Sequence, residues 1–183
     1  IEFRSPYGLS KFSNENLILF YQQTAGICPA ILRISDPFGK WQVMERRQGL
    51  IGQVFSRALR NEEIELFGGL DIVKDFIHMD DLLRVFDGFL QHPDSQGIFN
   101  VGSGIGVSLR EVITNIERVT HKNLRLSFAP FIKSECPWTV INTSKLQKAI
   151  NCTCRHSFFD AIQLISNELG TTESSGFERK LAA

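Results

Sequence analysis

Charge of one sign is what this chain of 183 residues lacks most plainly, since 20 Lys and Arg balance 20 Asp and Glu. With no basic block or stripe there is no electrostatic footprint for nucleic acid, and that class of partner is set aside. No apolar run reaches membrane-spanning length, and the start lacks the charged-then-apolar layout of a signal peptide. A cytoplasmic protein without a membrane partner is therefore expected. Tyrosine, tryptophan and methionine are scarce at 2 each, against 15 phenylalanines. Cysteine is sparse and scattered: Cys28, Cys136, Cys152 and Cys154. The run Cys152-Thr153-Cys154-Arg155-His156 spaces its cysteines too tightly for a usual zinc site, so reduced thiols and no metal are expected. Asn142-Thr143-Ser144 and Asn151-Cys152-Thr153 match glycosylation sequons and are read as coincidence. A dinucleotide fingerprint is also missing. Gly102-Ser103-Gly104-Ile105-Gly106 comes nearest, but the third glycine of Gly-x-Gly-x-x-Gly falls on Val107, and no acidic residue closes a strand about twenty positions on. A tight loop between packed elements is the better reading.

What is present alternates in period. Ser5, Pro6 and Gly26 mark the start and stop of a first helix. Ala30 to Ser35 reads as a buried strand, Gly39 to Gly49 as a charged loop with Arg46-Arg47, and Leu50 to Asn61 as a helix. Strands are expected at Ile64–Phe67 and Ile72–Ile77, parted by Gly68-Gly69. Asp80 is expected to cap a helix to Leu90 that buries Leu82, Leu83, Phe86, Phe89 and Leu90. A strand at Gly97–Val101 precedes the capping box Ser108-Leu109-Arg110-Glu111 and the stripe Leu109, Val112, Ile113, Ile116, Val119. A strand at Leu124–Phe128, a short helix at Thr143–Ile150 and a last helix at Ser157–Leu169 complete the α/β order. Glu2-Phe3 and Lys180 to Ala183 read as vector-derived, and the polar 171–183 tail as frayed.

Tyr7-Gly8-Leu9-Ser10-Lys11 carries the chemistry. A tyrosine and a lysine four apart share one helix face, and an ammonium one turn away favours the phenolate that a proton-accepting phenol must form. Ser5-Pro6-Tyr7-Gly8-Leu9-Ser10-Lys11 resembles the active-site helix of the extended short-chain dehydrogenase/reductases, specifically the NAD-dependent sugar-nucleotide epimerase/dehydratase family. Further markers follow in order. Arg33-Ile34-Ser35-Asp36-Pro37-Phe38-Gly39 is similar to the family's Arg-x-x-Asn-x-Tyr-Gly segment. Lys74-Asp75-Phe76-Ile77-His78-Met79-Asp80-Asp81 is similar to its Arg-Asp-Phe-Ile-x-Val-x-Asp segment. Phe99 to Gly104 and Asn142 to Leu146 resemble two later ones.

The resemblance implies a fold and a reaction class. The fold would be the C-terminal part of a Rossmann-type extended short-chain dehydrogenase with its smaller α+β substrate-binding domain, the N-terminal dinucleotide-binding half being absent. Residues 1–170 would form that half, with the catalytic helix at 5–26 and the substrate-binding part mainly at 37–170. Tyr7 would be the acid/base on a sugar hydroxyl, Lys11 would hold the nicotinamide ribose of NAD or NADP, and Ser35 would lie beside the nicotinamide. A nucleoside-diphosphate sugar would place its pyrophosphate near Asp36, Lys74 and Lys133. Departures fall there: the family's asparagine is Asp36, its arginine is Lys74, and a second arginine aligns near Ile132 or Lys133. Epimerase is slightly favoured over dehydratase or reductase because Asp36-Pro37 follows an Asn-Pro variant. With the dinucleotide loop missing, the chain reads as a fragment inactive alone, with uncovered surface that drives homodimer formation or self-association. The alternative is a catalytically idle family member serving as a binding or assembly module.

Overall fold

Ser5, Pro6 and Gly26 bound the first helix as their chemistry dictates. In the computed structural model, which describes residues 3–42, 49–130 and 136–173, helix α1 runs Pro6–Ala25. The Ser5 hydroxyl accepts the Gly8 N–H at 3.1 Å, and Gly26 closes the helix at φ +66°. No residue of α1 is buried. Phe12, Ile18 and Leu19 are half-covered, whereas Leu9, Leu17, Phe20 and Tyr21 face outward.

Strand β1 (Ala30–Ile34) pairs in parallel with β5 (Gly97–Val101). Only Ile31 of β1 is buried, which corrects the expectation of a wholly buried strand. The cause is its setting: among the described residues β1 pairs with β5 alone. Strand β2 (Asp36–Phe38) follows after Ser35 and pairs in parallel with β4 (Val73–His78). β4 also takes β6 (Gly106–Ser108), antiparallel, and β8 (Trp138–Thr139). β3 (Ile64–Phe67) and β7 (Leu126–Ala129) form a third parallel unit. The α/β expectation therefore holds; among the described residues the sequence reading lacked the strands β2, β6 and β8, of 3, 3 and 2 residues, and the short 3-10 turn Lys40–Gln42 inside the expected loop. Glu2, Arg46, Arg47, Lys133 and the stretch 174–183 lie outside the described residues.

Helices α2 (Leu50–Arg60), α4 (Leu109–Thr120) and α6 (Phe158–Glu173) enclose the larger core with Ile51, Val54, Phe55, Ile116, Ile162 and Ile165. Each such side chain, fully buried, contributes about 1.5–3 kcal/mol. The capping box at Ser108 and Glu111 forms as expected. A second core gathers Ile77, Val85, Phe99, Leu146 and Ile150 between β5, α3 (Met79–Gln91) and α5 (Ser144–Ile150). Two expectations for α3 are corrected. Its N-cap is His78, whose ring accepts the Asp80 N–H at 3.3 Å, so Asp80 sits inside the first turn. Leu83, Phe86 and Leu90 are exposed; the buried stripe is Asp81, Leu82 and Val85.

Two buried carboxylates tie loops to this frame. Asp81 accepts the backbone N–H groups of Arg155 and His156 at 2.9 and 3.2 Å, and meets the His156 ring Nδ1 at 3.0 Å. Asp75 is 0% exposed. It accepts from Ser103 N–H and O–H at 2.8 and 2.7 Å, Gly104 N–H at 3.0 Å and Ile141 N–H at 3.3 Å. The glycine loop thus wraps an internal anion. A Cβ on Gly102 would lie 2.8 Å from both Asp75 Oδ2 and Ser35 Oγ, so only glycine fits this approach.

Asp75→Ala leaves three part-buried N–H donors without this acceptor, and we expect a loss of about 1–3 kcal/mol. Urea unfolding of the chain measures it; a loss below about 1 kcal/mol would remove Asp75 from this role.

Candidate functional site

Beside α1 lies a cleft of about 630 Å³, lined by Tyr7, Asp36, Lys74, Gln53, Glu65 and Phe67 among others. Its walls follow from the local sequence. β3 alternates buried Ile64 and Leu66 with exposed Glu65 and Phe67, and Glu65, Leu66 and Phe67 all border the opening. β2 and β4 bring Asp36 opposite Phe76, one residue from Lys74's neighbour Asp75. Tyr7 reaches the rim from the first turn of α1 and is 71% exposed.

Five of the six residues singled out in the sequence can be placed. Tyr7, Asp36 and Lys74 line the cleft. Lys11 does not line it but stands beside Tyr7, its Nζ 5.3 Å from the ring centre. Ser35 lies behind the wall, its buried Oγ against Gly102 and without a hydrogen-bond partner among the described residues. Lys133 falls outside the described residues. Sequence reading missed Glu65; the strict alternation of Ile64-Glu65-Leu66-Phe67 was the signal that could have found it. Among the described residues the charged lining is two carboxylates, Asp36 and Glu65, against the Lys74 ammonium.

The helix that carries Tyr7 is fastened by polar contacts. Arg33 of β1 grips Glu15 with two charge-assisted hydrogen bonds of 2.8 and 2.6 Å, and Gln22 donates to Gln96 at 3.2 Å. These Arg33 hydrogen bonds hold the Glu15 carboxyl below its ordinary value near 4.5. The cysteines stand apart from the cleft. Cys152 is buried; Cys154 donates to the Gly102 carbonyl at 3.5 Å, and burial pushes its thiol up to about 11.

A family model described as the NAD dependent epimerase/dehydratase family matches residues 1–102. The chain belongs to that family. This epimerase/dehydratase-family chain is 30% identical over 122 residues to the dTDP-4-dehydro-6-deoxyglucose reductase of Escherichia coli, covering 67% of itself and 39% of the relative. It is 25% identical over 172 residues to the CDP-paratose 2-epimerase of Salmonella typhi, covering 89% of itself and 51% of that protein. Among solved structures, the UDP-glucose 4-epimerase of Thermotoga maritima with UDP-glucose superposes with a TM-score of 0.85 at 22% identity, over 92% of this chain and 54% of that one. The fold is therefore that of part of a Rossmann-type epimerase. The chain spans about half the length, or less, of these relatives.

Because Glu15's folded value lies below its ordinary one, the Arg33 tether is intact above the ordinary value and lost as pH falls through the lowered one. Amide exchange in α1, corrected for intrinsic rates, should accelerate below about pH 4 while α2, which has no acidic residue in its first turn, stays protected. Glu15→Gln should reproduce that loosening at neutral pH. Equal acid responses of α1 and α2 would show that the pair is not the anchor.

Proposed function

We propose that this chain supplies the proton-transfer side and the sugar-nucleotide side of an NAD(P)-dependent nucleotide-sugar epimerase/dehydratase, with 4-epimerase chemistry the first choice. The observation that carries the reading is that Tyr7 shares one cleft with Asp36 and Lys74. About 630 Å³ lies within the roughly 300–1,000 Å³ of small-molecule sites.

The residues fit one end of the cofactor. The Tyr7 hydroxyl and Lys11 ammonium stand together on an exposed helix face, suited to a ribose diol, and Ser35 Oγ keeps an unused hydrogen-bonding capacity one residue from the cleft. The glycine loop does not serve as a cradle for the phosphates, since its N–H groups are taken by Asp75. When bound, the nicotinamide supplies hydride acceptance and return. Tyr7 Oη takes the proton from a sugar hydroxyl and returns it at the end of the cycle. Lys11, its Nζ 5.3 Å from the Tyr7 ring centre, holds the nicotinamide ribose in this reading. Lys74, and Lys133 further along the chain, offer single-point hydrogen bonds to pyrophosphate oxygens, where an arginine would grip two at once.

Residues 1–170 act in this reading as the C-terminal half of such an enzyme, inactive without a dinucleotide-binding half. The outward Leu17, Phe20 and Tyr21 of α1 and Leu83 and Phe86 of α3 support pairing of two copies. One observation favours a second reading, an idle binding module: among the described residues that line the cleft, the carboxylates of Asp36 and Glu65 face the single ammonium of Lys74, which opposes a pyrophosphate.

The protein joined to its dinucleotide-binding half, supplied with NAD and a panel of nucleoside-diphosphate sugars, decides between them. Turnover that drops at least about 10²-fold in Tyr7→Phe, with sugar-nucleotide affinity unchanged, supports the enzyme. Wild-type protein inert towards every sugar supports the module. Asp36→Asn should tighten sugar-nucleotide binding several-fold, by removing a negative charge beside the phosphates.

A further inference from the structure

We propose that the end of β4, the first turn of α3 and the segment entering α6 form a site for a first-row divalent transition-metal ion, with His78, Asp80 and His156 as its protein ligands. One ligand atom from each of these residues lies within 4.8 Å of the other two. His78 Nδ1 is 3.7 Å from Asp80 Oδ2, and the two imidazole rings are 5.0 Å apart between centres. Metal–ligand bonds of about 2.0–2.1 Å set tetrahedral ligand atoms roughly 3.4 Å apart. The His78–Asp80 pair is nearly at that spacing, and the Asp80 side chain, 59% exposed, has the freedom to close the rest.

The surroundings are those of an oriented imidazole ligand. Asp81, 2% exposed, holds His156 Nδ1 at 3.0 Å and is itself fixed by the N–H groups of Arg155 and His156. A carboxylate on one ring nitrogen sets the ring's tautomer and direction and leaves Nε2 for a cation. A cavity of about 30 Å³ borders both histidines, room for one water-sized species. Binding at His78 Nδ1 gives up only the long 3.3 Å hydrogen bond from Asp80 N–H. Two imidazoles and one carboxylate, with a position left to water, suit zinc, nickel or cobalt better than magnesium or calcium. None of the three ligands lines the cleft, so this site stands independently of the function proposed there. An ion there would cross-link β4 and α3 to the start of α6, positions 78 and 156 of the chain.

Titration of the full chain with Co²⁺, followed by visible absorption, and with Zn²⁺, followed by calorimetry, tests the site. The expected result is one ion per chain, ligand-field bands without a thiolate-to-cobalt charge-transfer band, and a raised thermal midpoint. His156→Gln and Asp80→Asn should each weaken binding by more than about tenfold and abolish the thermal shift. No binding, unchanged affinity in both variants, or a sulfur charge-transfer band that assigns the ion to the cysteines would overturn the proposal. If circular dichroism shows His156→Gln unfolded, Asp80→Asn at its exposed position decides alone.

Discussion

The Asp75 carboxylate is the constraint on which the rest of this structure depends. A fully buried charge is tolerable only when its lone pairs are satisfied, and here Ser103, Gly104 and Ile141 satisfy them. Each donor belongs to a different stretch of backbone from β4, so the charge fixes where the glycine loop and the 141 segment must lie. The same strand turns Lys74 towards the cleft, because successive residues of a strand face opposite ways. Gly102, pressed between Asp75 and Ser35, then sets the depth of the wall behind the cleft. A motif that superficially suggests phosphate binding is thereby spent on internal architecture.

Against that rigid centre, the helix bearing Tyr7 is held differently. α1 buries no residue completely, and the polar contacts that reach it from distant parts of the chain include the Arg33–Glu15 pair and the Gln22–Gln96 hydrogen bond. An ion pair with Arg33 half exposed is worth little beside a hydrophobic core. The exposed Leu17, Phe20 and Tyr21 are the apolar surface through which a further body could hold this helix more firmly. Position of the phenol and lysine thus depends on less stabilising free energy than position of Lys74.

Much of this was legible in the sequence where local chemistry dominates. Ser5, Pro6 and Gly26 delimited α1, the Ser108/Glu111 capping box began α4, and the stripe of Leu109, Val112, Ile113 and Ile116 oriented it. The α3 reading went astray because Leu82, Leu83, Phe86 and Leu90 are all apolar, and periodicity alone cannot say which flank is covered. Tertiary contacts chose the flank with Asp81, a charge whose burial depends on N–H groups more than seventy residues away. β2, β6 and β8 were too short to leave a pattern. Within the site, Tyr7, Asp36 and Lys74 were found from motif order, whereas Glu65 entered only once β3 could be seen facing the cleft. The His78–His156 proximity depends wholly on long-range folding and had no sequence signature.

The pleat of β3 has an evolutionary consequence. Ile64 and Leu66 are buried and carry the packing, while Glu65 and Phe67 are exposed at the border of the opening. Exchanges at those two outward positions would therefore alter what the cavity accepts at small cost to folding, as surface substitutions generally do. A different cleft lining is within reach of single codon changes there, with the helix that carries Tyr7 left untouched.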